Sequence, residues 1–253
     1  MKYLMNKKNH SKYRKSIQSV CDCGNMINDS STFTELQKNV FLDLLYRIKR
    51  NCLTLEKLTE IEDDYLAIRL LHRSIFEDLI TIFFFLSLKD SPSEFDNAIT
   101  VMDVKSKQSI EQWIKEHKKI DDTNALAKGN SVVSQEEYFN SFNSFVEQYP
   151  LSLDVVESRS KEIKINNMYF KGTPNAMKSC SKGKELGEPI EHLYTEYRFL
   201  SQIEHYSLFN RGFSYVHSED DTITTHRHVI EFFSEFLRET ISEMVNAEGK
   251  KYS

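Results

Sequence analysis

Arg198 and His205 stand seven residues apart in YRFLSQIEHYS, the stretch from Tyr197 to Ser207. On a helix that offset is close to two turns, so both side chains leave one face within about 20° of each other. An imidazole titrates near neutrality and can pass protons. A guanidinium stays charged and grips phosphate through two N–H groups at once. Doubled across a dimer, the pair has the means to cleave RNA without a metal. His205 would act as general base or acid on the ribose 2′-hydroxyl, and Arg198 would hold the charge developing on phosphorus. Glu191 continues this stripe two turns earlier, Thr195 and Gln202 flank it, and Leu193, Leu200 and Ile203 take the opposite side. Any amphipathic surface helix shows the same division.

A second charged stripe lies earlier in the chain. Arg73 and Glu77 are four residues apart, adjacent on one helical face, and Arg69 stands a turn before them. The plain reading is an internal ion pair beside the apolar run LITIFFFLSL, Leu79 to Leu88, where any buried charge must be hydrogen-bonded to be tolerated. The sharper reading brings this stripe against His205, with Glu77 orienting the imidazole and Arg73 adding a phosphate contact. His217 follows Arg211 by six residues and is a rival to His205. His226 and His228 are two apart, which sends them to different sides of a helix and argues against a shared metal. Tyr194, Tyr197, Phe199, Tyr206, Phe209, Phe213 and Tyr215 crowd the same region. They suit bundle packing first and the stacking of unpaired bases second. No Gly-rich phosphate loop, G-x-S-x-G or H-E-x-x-H motif occurs.

Arg198-x6-His205 resembles the R-x(4–6)-H motif of the HEPN superfamily, at the long end of its spacing. Many HEPN members are metal-independent endoribonucleases of toxin–antitoxin and phage-defence systems, dimeric, with the site at the interface. Phe199 stands where those enzymes commonly carry Asn, Asp or His. A wider stretch, Leu55 to Ser218, is similar to an uncharacterised bacterial family of helical proteins. These carry R-x(3)-E on an early helix and Y-x(2)-L-S-x(3)-H on a late one, matched here by Arg73, Glu77, Tyr197, Ser201 and His205. Together the resemblances imply catalytic positions at Arg198, His205, Glu77 and Arg73. Substrate contacts are expected at Tyr197, Ser201, Gln202 and His217. They imply no metal and no cofactor. RNA is the expected substrate and a homodimer the expected form, with an antitoxin or defence-system partner protein. The alternative is a non-catalytic helical module of the same ancestry that binds a partner protein or small ligand.

Positioning such residues requires long helices, and the composition favours them. Only 7 Gly and 4 Pro occur in 253 residues, too few for the tight turns of an all-β fold. Helix-start signals appear at Thr32-x-x-Glu35, Ser91-Pro92-Ser93-Glu94 and Ser134-x-x-Glu137, each with the capping-box pattern. Helices are predicted near 33–50, 55–89, 92–119, 134–148, 188–210 and 224–247, with an interruption of the second around 60–64 and a short helix near 174–182. AKGNS, Ala127 to Ser131, reads as a surface loop. The fold expected is all-α: a single helical bundle over 31–253, preceded by a basic tail or first helix over 1–30, with an irregular insertion around 150–175.

The net charge of -5 gives no global attraction to nucleic acid, but Lys2, Lys7, Lys8, Lys12, Arg14 and Lys15 open the chain without an acid. That start is expected to be solvated, and it offers phosphate contacts. Cys21, Cys23, Cys52 and Cys180 form neither a disulfide framework nor paired metal ligands, which suits a reducing cytoplasm. No apolar run reaches the 18 or so residues a membrane span needs.

Overall fold

The computed structural model describes residues 7–58, 65–138, 187–203 and 219–249. Among the described residues every regular element is a helix and no strand occurs: the fold is all-α. The chain divides into two compact units, one drawn from Met1–Asp90 and Thr173–Ser253, the other from Ser91–Gly172.

The first unit holds α1 (Lys7–Asp29), α2 (Glu35–Leu58), α3 (Tyr65–Ser87), α5 (Gly187–Ile203) and α6 (Glu219–Gly249). Helix α3 is its centre, packed against α2, α5 and α6, while α1 packs against α2 and α6. Its sequence dictates that place. From Leu79 to Leu86 every residue but Thr81 is apolar and buried, and the Thr81 hydroxyl is satisfied within the helix by the Glu77 carbonyl at 2.7 Å. A stretch so nearly apolar all round must be covered on almost every side. Each such side chain contributes about 1.5–3 kcal/mol when taken out of water.

Of the basic residues at the start, Lys2 and the side chains of Lys7, Lys8 and Lys12 lie outside what is described, while Arg14 and Lys15 keep their side chains mostly exposed. They ride on a helix whose other face, Tyr13, Ser16, Val20, Cys23 and Ile27, is buried at a spacing of three and four residues. Lys15 reaches Glu231 at 3.1 Å, and Ser19 donates to Glu235 at 2.9 Å, so α1 and α6 run side by side in the same direction.

Helix starts follow the local chemistry closely. The expected box at Thr32 forms two residues later. Thr34 N–H donates to Gln37 Oε1 at 3.0 Å, and Gln37 N–H to Thr34 Oγ1 at 3.3 Å. Ser30 and Thr32 instead bond each other within the preceding turn, at 2.7 Å. Gln37 also donates to the Lys89 carbonyl at 2.9 Å, tying the start of α2 to the chain just past α3. Helix α2 runs unbroken to Leu58, through the break expected near residues 50–55. Its buried stripe, Phe41, Leu44, Leu45, Ile48, Cys52 and Leu55, never loses helical period there.

In the second unit, α4 (Pro92–Ala127) has Pro92 in its first turn as expected, but Ser91 makes no side-chain cap. Its carbonyl accepts from Glu94 and Phe95, both at 3.0 Å. The helix runs eight residues past the predicted end at 119 and stops where Gly129 adopts φ 72°, a conformation costly to any residue with a Cβ. Of AKGNS, Ala127 still ends the helix, and Lys128 to Ser131 form the exposed turn that follows. At Ser134 the predicted box is in place: Glu137 N–H donates to Ser134 Oγ at 3.1 Å, and Ser134 N–H returns to Glu137 Oε2 at 3.2 Å. The insertion around 150–175, the short helix near 174–182 and the interruption at 60–64 lie outside the described residues.

Candidate functional site

Helices α3 and α5 pack together, and their motif residues meet in a stacked series. The Arg73 guanidinium lies over the Tyr197 ring, 5.7 Å from its centre. Tyr197 stacks on Tyr194 at 6.4 Å with ring planes 21° apart. Arg198 lies over the other tyrosine, 5.9 Å from its centre. Two cations thus end a ladder of two aromatic rings. Each cation is drawn to the negative face of a ring. Tyr197 is buried, Tyr194 and Arg73 are partly buried, and Arg198 is exposed. Leu193 and Leu200 are buried on the inner side of α5, the division its amphipathic pattern predicts.

Among the expected site residues, then, Arg73, Tyr197 and Arg198 come together in this ladder. Glu77 stands one turn after Arg73 on α3, partly buried. Ser201 and Gln202 sit on the last turn of α5. His205 and His217 lie outside the described residues.

A second group, buried and close by, was not read as a cluster from the sequence, where only Arg69 and His226 were noted, and separately. His72 and Arg69 on α3, His226 and Arg227 on α6 and Tyr13 on α1 are all buried. Tyr13 lies 2.7 Å from His72 Nε2 through its hydroxyl. The rings of His72 and His226 meet edge to face at 5.6 Å. The Arg227 guanidinium lies over the Tyr13 ring, 5.5 Å from its centre. Glu196, on the inner side of α5, accepts from His226 Nε2 at 3.1 Å. Phe76 and Phe199 wall in His226 at 5.6 and 6.0 Å.

Burial decides the protonation here. Desolvation holds His72 well below the usual imidazole range, and the neighbouring His226, Arg227 and Arg69 push the same way, so its ring is neutral. Desolvation likewise raises the Tyr13 hydroxyl, outweighing the pull of Arg227. The hydrogen bond from His226 lowers the Glu196 carboxyl despite partial burial, keeping it ionised.

A signal for this group does exist in the sequence. Residues 223, 226, 227, 230, 233, 234, 237 and 241 form the buried stripe of α6, and His226-Arg227 occupy two of its inward positions. In α3, Arg69 and His72 share the stripe of Ile68, Ile75, Phe76 and Leu79. Polar residues at core register were the clue. His228 is exposed, so the two histidines of the HRH triplet do part company.

Cys23 and Cys52 are buried thiols pushed up to about 12, chiefly by desolvation, and both are inert. Among the described residues no group of three His, Cys, Asp or Glu side chains is placed to hold a metal. No described helix is long and apolar enough to cross a membrane. The chain matches no protein family model, no curated protein and no solved structure.

Proposed function

We propose that this chain acts on single-stranded RNA along the α3–α5 seam, as a HEPN-like, metal-independent endoribonuclease of a bacterial toxin or phage-defence system. The observation behind this reading is the ladder Arg73–Tyr197–Tyr194–Arg198. Guanidinium groups beside stacked aromatic rings suit a ligand that alternates phosphates and bases. Arg198, exposed at the outer end, binds phosphate, and His205, seven residues further along the chain, moves the proton of the ribose 2′-hydroxyl. Glu77 and Arg73 support them. A homodimer brings a second copy of the pair to the cleaved bond, and the protein works in the reducing cytoplasm alongside an antitoxin or defence partner.

Purified protein incubated with total RNA in EDTA tests this. Cleavage that disappears in His205→Ala and in Arg198→Ala is the expected result. No cleavage by the parent protein, or equal cleavage by the variants, overturns it.

A second reading, a non-catalytic module for a small ligand, draws on a different observation: among the described residues a cluster of histidine, arginine and tyrosine side chains is buried, whereas Arg198 is exposed.

A further inference from the structure

The buried group holds several hydrogen-bond donors that meet no acceptor. Among the described residues Arg227 is the largest fully buried side chain, yet its Nε and Nη1 have no partner, and neither does Nε of Arg69. His72 adds a fourth donor. The Arg227 guanidinium lies beside the Tyr13 oxygen, so the Tyr13 hydroxyl hydrogen is free to point at His72 Nε2. The neutral imidazole then carries its own hydrogen on Nδ1, which is buried and without an acceptor. His226 faces the other way. Its Nε2 faces Glu196 at 3.1 Å, and its Nδ1 is also buried and without a partner.

The charge is unbalanced in the same direction. Two guanidiniums sit within electrostatic reach of His72. Glu196 pairs with His226 Nε2 at 3.1 Å. Leaving a cation buried with open N–H groups is among the costlier arrangements a core can hold. Such a site calls for an anion with several acceptor oxygens.

We propose that Arg69, His72 and Arg227 form an internal receptor for a small phosphate-class oxyanion. Its donors come from two helices, Arg69 and His72 from α3 and Arg227 from α6, and both guanidiniums act on His72. A tetrahedral anion with four oxygens answers four such N–H groups better than a planar carboxylate does, and guanidinium–phosphate pairs are among the stronger charge-assisted bonds. Arg69, 8 % exposed, and the partly buried Glu196 are the members that reach toward the surface. The anion would join α3 to α6 and act as an internal strut, independent of RNA chemistry on the outer ladder.

Calorimetric titration of the full chain with inorganic phosphate at constant ionic strength tests this, with a 5′-mononucleotide and acetate as parallel ligands. Saturable one-to-one phosphate binding is expected, accompanied by a rise in melting temperature. Arg69→Gln and Arg227→Gln should each weaken it roughly ten- to hundredfold, the loss of a charged hydrogen-bond donor. Binding of phosphate alone identifies the free ion. Binding of the mononucleotide as well identifies a phosphoryl group on a small metabolite. Acetate binding as tight as phosphate binding overturns the assignment, and so does the absence of saturable binding at millimolar phosphate. If Arg227→Gln does not fold, the wild-type titration and Arg69→Gln still decide. Unchanged affinity in Arg69→Gln also overturns it.

Discussion

The hydroxyl of Tyr13 sits 2.7 Å from Nε2 of His72, joining residues 59 apart in the chain and two helices, α1 and α3, across the centre of the bundle. Both groups are buried and both are neutral, because desolvation disfavours their charged forms. A buried hydrogen bond of this kind adds little by itself, but losing one partner strands the other. Tyr13→Phe should therefore lower stability by about 1–3 kcal/mol, read from urea unfolding, with helix content by circular dichroism unchanged.

Acid should act on the same pair. His72 is neutral in the folded protein, whereas the unfolded chain takes up a proton near the ordinary 6.5. Its contribution is thus complete above that value and is lost as the pH falls below it. Unfolding free energies measured between about pH 7.5 and 5.5 should decline through this group, and the decline should shrink in His72→Gln relative to its own neutral-pH stability.

Asp78 should act in the opposite sense. Its carboxyl is buried and pushed up to about 7 by desolvation, although Arg47 at 3.0 Å pulls it down. The folded protein binds this proton more tightly than the unfolded chain, so the ionised form costs stability at and above neutrality. That cost is relieved as pH falls from about 7 toward 3.8. Asp78→Asn keeps the shape and removes the proton. Its stability near neutral pH should change less with pH than that of the parent, a comparison of two urea series.

Capping at the start of α2 gives a prediction about position. Thr34→Ala should cost about 1 kcal/mol, since it removes the acceptor for Gln37 N–H. Gln37→Ala should cost more, because that side chain also holds the Lys89 carbonyl. Ser91→Ala should be close to neutral, as Ser91 makes no side-chain cap. Thermal melts of the three variants check the order.

On the outer ladder, Tyr194→Leu should weaken binding of a short single-stranded RNA by about 0.5–1 kcal/mol, the worth of the exposed cation–π contact that holds Arg198. Arg198→Ala should reduce the dependence of binding on salt by about one counterion. Fluorescence anisotropy at several salt concentrations measures both.

Much of this architecture was legible from periodicity. Leu79 to Leu88 could only be a covered helix, and Leu193 and Leu200 could only face inward. Capping signals were read in the right neighbourhoods, but Thr32 and Ser91 were poor guides to the bonds formed. Several Ser and Thr side chains compete at each start, and backbone geometry chooses among them. The pairing of Arg73 with Tyr197 was anticipated only as a meeting of two segments; which ring receives the cation depends on packing between helices 124 residues apart in sequence. The buried cluster went unread for another reason. Arg227 and His226 look like ordinary surface residues unless the register of α6 is known, and that register is set by its contacts with α1 and α3.

That contact between α1 and α6 bears on synthesis. Lys15 and Glu231 are separated by 216 residues and yet lie at 3.1 Å. The ribosome must deliver the chain across that 216-residue separation before the oily flank of α3 finds its last cover, with many seconds of translation in between. Until then the nascent protein presents a sticky phenylalanine-rich surface, a natural client for the cell's chaperones.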